Sequence, residues 1–203
     1  MKFYNSRGPN PRLIRMFMAE KGITIPSQDI DVRAGENRQA EFLKRNPHGQ
    51  TPALELDNGD HVCEVIPICE YLEEKNPSPA LIGTTAEERA ETRMWTRRID
   101  LNICEHLANG FRFGEGLKMF APRIVTVPEA STGLKKVAQD RITWLDGQIA
   151  GKDYICGKRF TLADMLLFVW LDFFATVGQP IEQANKNIVA HHERIKQRPS
   201  AQA

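Results

Sequence analysis

The chain opens on a short apolar-aromatic run, Lys2-Phe-Tyr-Asn5, and breaks at Ser-Arg-Gly-Pro-Asn-Pro over residues 6–11. It then places Leu13, Ile14, Phe17 and Met18 at helical spacing up to Gly22. That order predicts strand, loop and helix, with the glycine as C-cap. Ile30 and Val32 alternate with Asp29 and Asp31, which predicts a second strand within residues 23–32 and completes a βαβ unit. Residues 35–47, GENRQAEFLKRNP, predict a short helix with Ala40, Phe42 and Leu43 inward, ended by Asn46-Pro47. Alternation on both sides of Asp57-Asn-Gly-Asp60 predicts a hairpin from Thr51 to Cys63. A third helix follows over about residues 64–75, with Ile66, Cys69, Tyr71 and Leu72 as its apolar stripe.

Asn76-Pro-Ser-Pro79 then stiffens the chain, and no strand pattern recurs beyond it. Thr84 or Thr85, with Glu87 or Glu88 three residues on, opens a long charged helix. Leu134, Val137, Ala138, Ile142, Leu145 and Ile149 outline another, bounded by Gly133 and Gly151. Thr161-Leu-Ala-Asp164 caps a third, whose Met165–Leu171 run is apolar nearly all round and predicts a core helix. The expected domains are residues 1–76, a linker at 77–84, and 85–203. The first is α/β in the order βαβ, α, ββα, which resembles the thioredoxin-like arrangement; the last is an all-α helical bundle.

Composition narrows the function. With 203 residues, 41% hydrophobic and 26% charged, the chain can bury a large core. Its 27 Lys plus Arg nearly balance 26 Asp plus Glu, which argues against a nucleic-acid partner. The N-terminal segment lacks the uninterrupted apolar stretch of a signal peptide or membrane span, so the expectation is a cytoplasmic protein with no membrane partner. Cys63, Cys69, Cys104 and Cys156 form no C-x-x-C pair and read as reduced, mostly buried thiols. His191-His192 and Cys104-Glu-His106 have no converging ligands, so no metal is expected.

Four segments in this order carry a family resemblance. They are Ser6-Arg-Gly-Pro-Asn-Pro-Arg12 running into LIRMFMAEKGI, Asn46-Pro-His-Gly-Gln-Thr-Pro-Ala-Leu54, Asp57–Ile66 leading to EYLEEKNP, and Tyr154–Asp164. Together they resemble the glutathione transferase superfamily across nearly the whole chain. Within it they are similar to fungal and bacterial members with a G-P-x-P or T-P-N loop and no Tyr, Ser or Cys activator. The resemblance implies glutathione as co-substrate, no metal, and a homodimer through the long helix after Thr85.

It also assigns roles. Thr51-Pro52 matches a cis-proline turn whose preceding residue pairs by its backbone with the cysteinyl unit of glutathione; without the family context Pro52 reads as the start of an edge strand. Glu64 and Val65 match the turn into the third helix that receives the γ-glutamyl group. The backbone N–H of Val65 takes the carboxylate there and Glu64 the ammonium. Members commonly carry Ser or Thr where Val65 stands. Gln50 matches the residue before the turn; Arg38 takes the place of a cation meeting the glycyl carboxylate, with His48 beside it. Both Arg38 and His48 read equally well as solvated side chains.

A free thiol titrates near about 8.5, and lowering that by about two units requires roughly 2.7 kcal/mol of anion stabilisation. Alignment of the loop puts Asn10 near the sulfur as first candidate donor, together with backbone N–H groups of the first helical turn; Ser6 is the second. Asn10 reads equally as an N-cap, and Tyr4 as a core strand residue. Residues 109–115 lack the His or Ser of near relatives. Phe111, Arg112, Phe113, Met119 and Phe120 are expected to face the cleft from the second domain. The implied activity is conjugation of glutathione to small hydrophobic electrophiles, or glutathione-dependent disulfide or peroxide reduction. A noncatalytic glutathione-binding interaction module, and a glutathione-dependent dehalogenase or isomerase, are the alternatives.

Overall fold

A computed structural model describes residues 1–203, which divide into two units, Met1–Leu81 with Arg198–Ala203, and Ile82–Gln197. Residues 198–203, expected in the helical domain, therefore belong to the first unit.

The first unit is built on a four-stranded sheet in the order β2-β1-β3-β4. β1 (Lys2–Asn5) pairs parallel with β2 (Ser27–Asp29) and antiparallel with β3 (Ala53–Glu55), which pairs antiparallel with β4 (His61–Cys63). α1 (Pro9–Lys21) packs against α3 (Val65–Lys75). Tyr4, Ala53, Ile30 and Phe42 form a second cluster with α2 (Ala40–Leu43), of which only Phe42 is buried.

β2 is shorter than its alternation predicts and fully exposed. Ile30 donates its N–H to Asn5 O, but Val32 then turns its N–H back onto Ile30 O, and the Asp31 carboxylate accepts from the N–H groups of Arg33 and Ala34. An Asx turn competes with the ladder there and wins. The buried stripe of α3 is Val65, Ile68, Cys69 and Leu72, so Ile66 and Tyr71 sit at its half-buried edge.

Lys21, at the end of α1, is fully buried. Its ammonium pairs with Glu73 and donates to Asn76 O (2.7 Å) and Pro79 O (2.5 Å), while Glu73 accepts from the Leu81 N–H (2.9 Å). A buried cation is tolerable only when paired and saturated in this way. A short 3₁₀ turn, Pro199–Gln202, lies against α1: Arg12 donates to Ala201 O, and Arg198 and Ser200 donate to Glu20. Burial raises the Glu20 carboxyl, but those two donors outweigh it and hold it below its usual value.

The second unit is helical. α4 (Ala86–Ile99) is capped by Thr85, whose hydroxyl accepts from the Glu88 N–H, while Glu88 itself accepts from Thr84. It continues through a π turn (Asp100–Cys104) into α5 (Glu105–Phe113), followed by the short α6 (Leu117–Phe120). α7 (Ser131–Gln148) contains Gly133 instead of starting after it, because the Pro128 turn already sets the entry. Its buried positions are Ser131, Ala138, Ile142 and Leu145, while Val137, one position off that stripe, is 44% exposed.

α8 (Leu162–Thr176) is the core helix, buried from Leu162 to Leu171. The Asp164 carboxylate accepts from the N–H groups of Ile155 and Thr161, the Thr161 hydroxyl and His191 Nε2, all within 2.9 Å. The capping motif thus also anchors the preceding loop and α9 (Lys186–Lys196). Two isolated bridges, Tyr154 with Gly157 and Cys156 with Arg159, stand where no strand pattern was expected. No helix is long and apolar enough to cross a membrane.

Candidate functional site

Strand pairing brings three loops to one end of the sheet. Tyr4 lies opposite Ala53, so continuing the antiparallel register sets Ser6 opposite Thr51; Ala53 lies opposite Cys63, which sets Thr51 level with the start of α3. The Ser6 and Thr51 hydroxyls meet at 2.5 Å.

Thr51-Pro52 is cis, and no backbone hydrogen bond within the protein engages Thr51. Its N–H and C=O therefore stand open to an extended ligand, the arrangement by which a sheet edge takes a peptide. Two buried asparagines hold the loop in this register. Asn46 Nδ2 donates to Gln50 O (2.8 Å) and its Oδ1 accepts from the His48 N–H, while Asn37 Nδ2 donates to Gly49 O (2.6 Å). Gly49 has φ 60, and a Cβ there would lie 2.8 Å from Asn37 O, so the loop can close on residues 36–38 only through glycine.

α3 starts bare. Glu64 is its N-cap at φ 72 and ψ 133, the only non-glycine residue of positive φ, and no side chain caps the helix. Pro67 has no N–H to satisfy and Ile68 bonds back to Glu64 O, so the open first-turn donors are the N–H groups of Val65 and Ile66. Unpaired N–H groups at a helix start are the kind of donors that can take an anion, and the exposed Glu64 carboxylate stands beside them. The Val65 side chain is buried, so this residue offers a ligand its N–H alone.

The loop after β1 differs in detail from expectation. Gly8, not Asn10, is the N-cap of α1; Asn10 is the second helical residue, half-buried, and no hydrogen bond engages its side chain. Pro9 and Pro11 have no N–H, so the first turn offers one backbone donor, that of Asn10, in place of the expected set. Arg15 fixes the strand end by donating to Asn5 Oδ1 (2.7 Å) and Ser6 O (3.3 Å). Tyr4 faces α2; its hydroxyl donates to Glu55 and accepts from Arg45. Burial and the Glu55 hydrogen bond push that phenol above its usual range, so it stays protonated.

Of the remaining expected residues, Gln50 and His48 are exposed and contribute carbonyl oxygens to the loop's own bonding. Arg38 spends Nη1 on His48 O (3.2 Å), while its Nε is buried without a partner. All four cysteines are free, and burial raises the thiol of each. Within the second unit Phe111 packs edge-on against Phe120 and Phe173, and Arg112 lies 5.8 Å from the Phe120 ring centre. No group of three His, Cys, Asp or Glu is placed to hold a metal.

Sequence reasoning missed Asn37, Asn46 and Arg15. A buried asparagine is legible only once its loop is folded, although Asn46 ahead of Pro47 marks the turn.

Two family models match the chain: the glutathione S-transferase N-terminal domain over residues 8–75 and the C-terminal domain over residues 128–194. The crystal structure of a glutathione S-transferase domain-containing protein from Marinobacter aquaeolei VT8 is 31% identical. It covers 98% of this chain and 99% of its own, with a TM-score of 0.93. Gtt2 from Saccharomyces cerevisiae is 27% identical with a TM-score of 0.93, over 100% of this chain and 99% of its own. Glutathione S-transferase GstA of Escherichia coli O157:H7 is 28% identical over 183 residues, 90% of this chain and 85% of its own.

Proposed function

Because this chain belongs to the glutathione S-transferase superfamily, we propose that it binds glutathione where Ser6, Thr51 and Glu64 converge and adds the thiolate to small hydrophobic electrophiles. The observation that carries this reading is the open backbone of Thr51, level with the uncapped start of α3. The cysteinyl unit pairs with Thr51, the γ-glutamyl carboxylate takes the Val65 and Ile66 N–H groups, and Glu64 takes the ammonium. Gln50, Pro52, Arg38 and His48 shape the loop, chiefly through backbone contacts.

Asn10 contributes a backbone N–H and a free side-chain amide, and Ser6 a hydroxyl, as donors to the sulfur. Two hydrogen bonds to an anion at about 1.5–3 kcal/mol each cover the roughly 2.7 kcal/mol that a two-unit drop in thiol pKa requires. Conjugation is favoured over reduction through a protein thiol, because the loop from Ser6 to Pro11 carries no cysteine and Cys63 packs toward the α2 cluster. Within the second unit Phe111, Phe120 and Met119 are half-buried apolar side chains, the kind of surface on which a small hydrophobic electrophile packs. A homodimer fits Met94 and Leu101, exposed apolar side chains along the α4–α5 helix, and a reducing cytoplasmic setting fits four free thiols. Isothermal titration with glutathione, followed by turnover of a chlorinated aromatic, tests the reading. Saturable heat and a conjugate are expected; no heat at millimolar glutathione overturns it.

A further inference from the structure

We propose that the Thr51 side chain has a task separate from its backbone: its hydroxyl and that of Ser6 form a two-link relay in which Thr51 donates to Ser6 and Ser6 donates to the glutathione sulfur. This rests on the glutathione reading above and names how the thiolate is held.

The two oxygens are 2.5 Å apart, and a single hydrogen lies between them. Either Ser6 donates to Thr51, which consumes the Ser6 hydrogen, or Thr51 donates and leaves the Ser6 hydrogen free. A negative sulfur docked on the Thr51 backbone selects the second arrangement, since it alone offers the anion a hydroxyl donor at Ser6. Chained hydrogen bonds polarise one another, so the Ser6 donor is stronger with Thr51 behind it.

Ser6 is suited to the task. It is 6% exposed, so water competes little for its hydroxyl, and its other contact is a weak one to Arg7 O at 3.4 Å. Arg15 fixes its carbonyl from behind. The β1–β3 register places it opposite Thr51 and holds the pair in place when the loop is empty. In the reaction, the thiol S–H bond breaks, its proton passes to solvent, and the electron pair stays on sulfur, facing the Ser6 O–H. Ser6 touches the reacting atom; Thr51 is a positioning residue.

The test reads the pKa of enzyme-bound glutathione from the ultraviolet absorbance of its thiolate, and separately from the acid limb of kcat/KM. Thr51→Val removes the hydroxyl at nearly constant shape, and Thr51→Ala removes it at smaller volume, so a packing fault peculiar to one is not read as the missing hydroxyl. Both are expected to raise the thiol pKa by about half a unit to one unit, which from a bound value near about 6.5 is roughly a 1.5- to threefold loss of thiolate at pH 7 and about three- to tenfold well below the pKa. Thr51→Ser restores the wild-type profile. Ser6→Ala raises the pKa at least as far, and Ser6→Ala combined with Thr51→Val goes no further than Ser6→Ala alone. A merely structural role for Thr51 moves stability and not this profile. An unshifted profile in both Thr51 variants, or shifts that add in the double variant, overturns the relay while wild-type binding of glutathione leaves the proposed function standing. Absence of wild-type binding overturns both.

Discussion

Glu64 sets backbone strain against ligand contact, and two substitutions separate them. At φ 72 and ψ 133 it lies outside the region favourable to L-residues, a conformation that costs about 1–3 kcal/mol. Glycine adopts it freely but adds about 0.5–1 kcal/mol of unfolded-state entropy. Glu64→Gly is therefore expected to stabilise the protein by about 0.5–2 kcal/mol, a rise in Tm of roughly 1–8 °C by scanning calorimetry. Glu64→Ala keeps the Cβ and the strain, so its Tm does not rise. Both variants lose the carboxylate expected to meet the ligand's ammonium. That group is exposed in the free protein, so its contribution is discounted to about 1 kcal/mol, roughly a fivefold weaker Kd for glutathione in each. A glycine variant that melts no higher than the alanine variant refutes the strain argument. Unaltered binding in both removes Glu64 from the site.

Three other substitutions probe the scaffold. Lys21→Met strands the buried Glu73 carboxylate and should cost about 3–5 kcal/mol in urea unfolding, whereas adding Glu73→Gln should restore part of it; a double variant no better than the single one contradicts the pairing argument. Asn46→Ala frees Gln50 O and the His48 N–H, and should raise the KM for glutathione more than it lowers kcat, because the loop carrying Thr51 loses its register; equal effects on both parameters would argue against it. Burial lowers the His192 pKa from its usual 6.5, so as pH falls through about 6.5 the unfolded chain takes up a proton before the folded one and stability drops. Thermal melts from about pH 7 to pH 5 should therefore fall more steeply for the wild type than for His192→Gln.

Much of this was legible because the patterns were strong. β1, α1 with its Gly22 cap, the hairpin and α8 each follow from a periodicity that burial enforces. β2 is shorter than its alternation because its three residues are exposed and polar, while beyond them Ile30 adds one bond to Asn5 O and Val32 lies in the Asx turn. Gly133 misled because a glycine in a first helical turn looks like a boundary when the Pro128 turn ahead of it is not weighed. The loop and helix start of the proposed cradle, Gln50–Pro52 and Glu64–Val65, stood out in the sequence only as a resemblance. The bonds that keep it open were not, since Asn37, Asn46 and Arg15 act over distances that only the folded loop defines. The single backbone donor at Asn10 could have been read directly from Pro9 and Pro11.

The 3₁₀ turn on α1 makes the first unit discontinuous in the gene's order. A ribosome finishes the α/β scaffold's sheet early, yet Arg12 and Glu20 wait for Ala201, Arg198 and Ser200 until every helix of the other unit has been synthesised. Excising residues 1–81 as a stand-alone glutathione-binding fragment would leave Glu20 without the two donors that hold its carboxyl down. A clip in the proline linker would leave Arg12 and Glu20 still bonded to residues 198–201, so the returning turn would keep its place on α1.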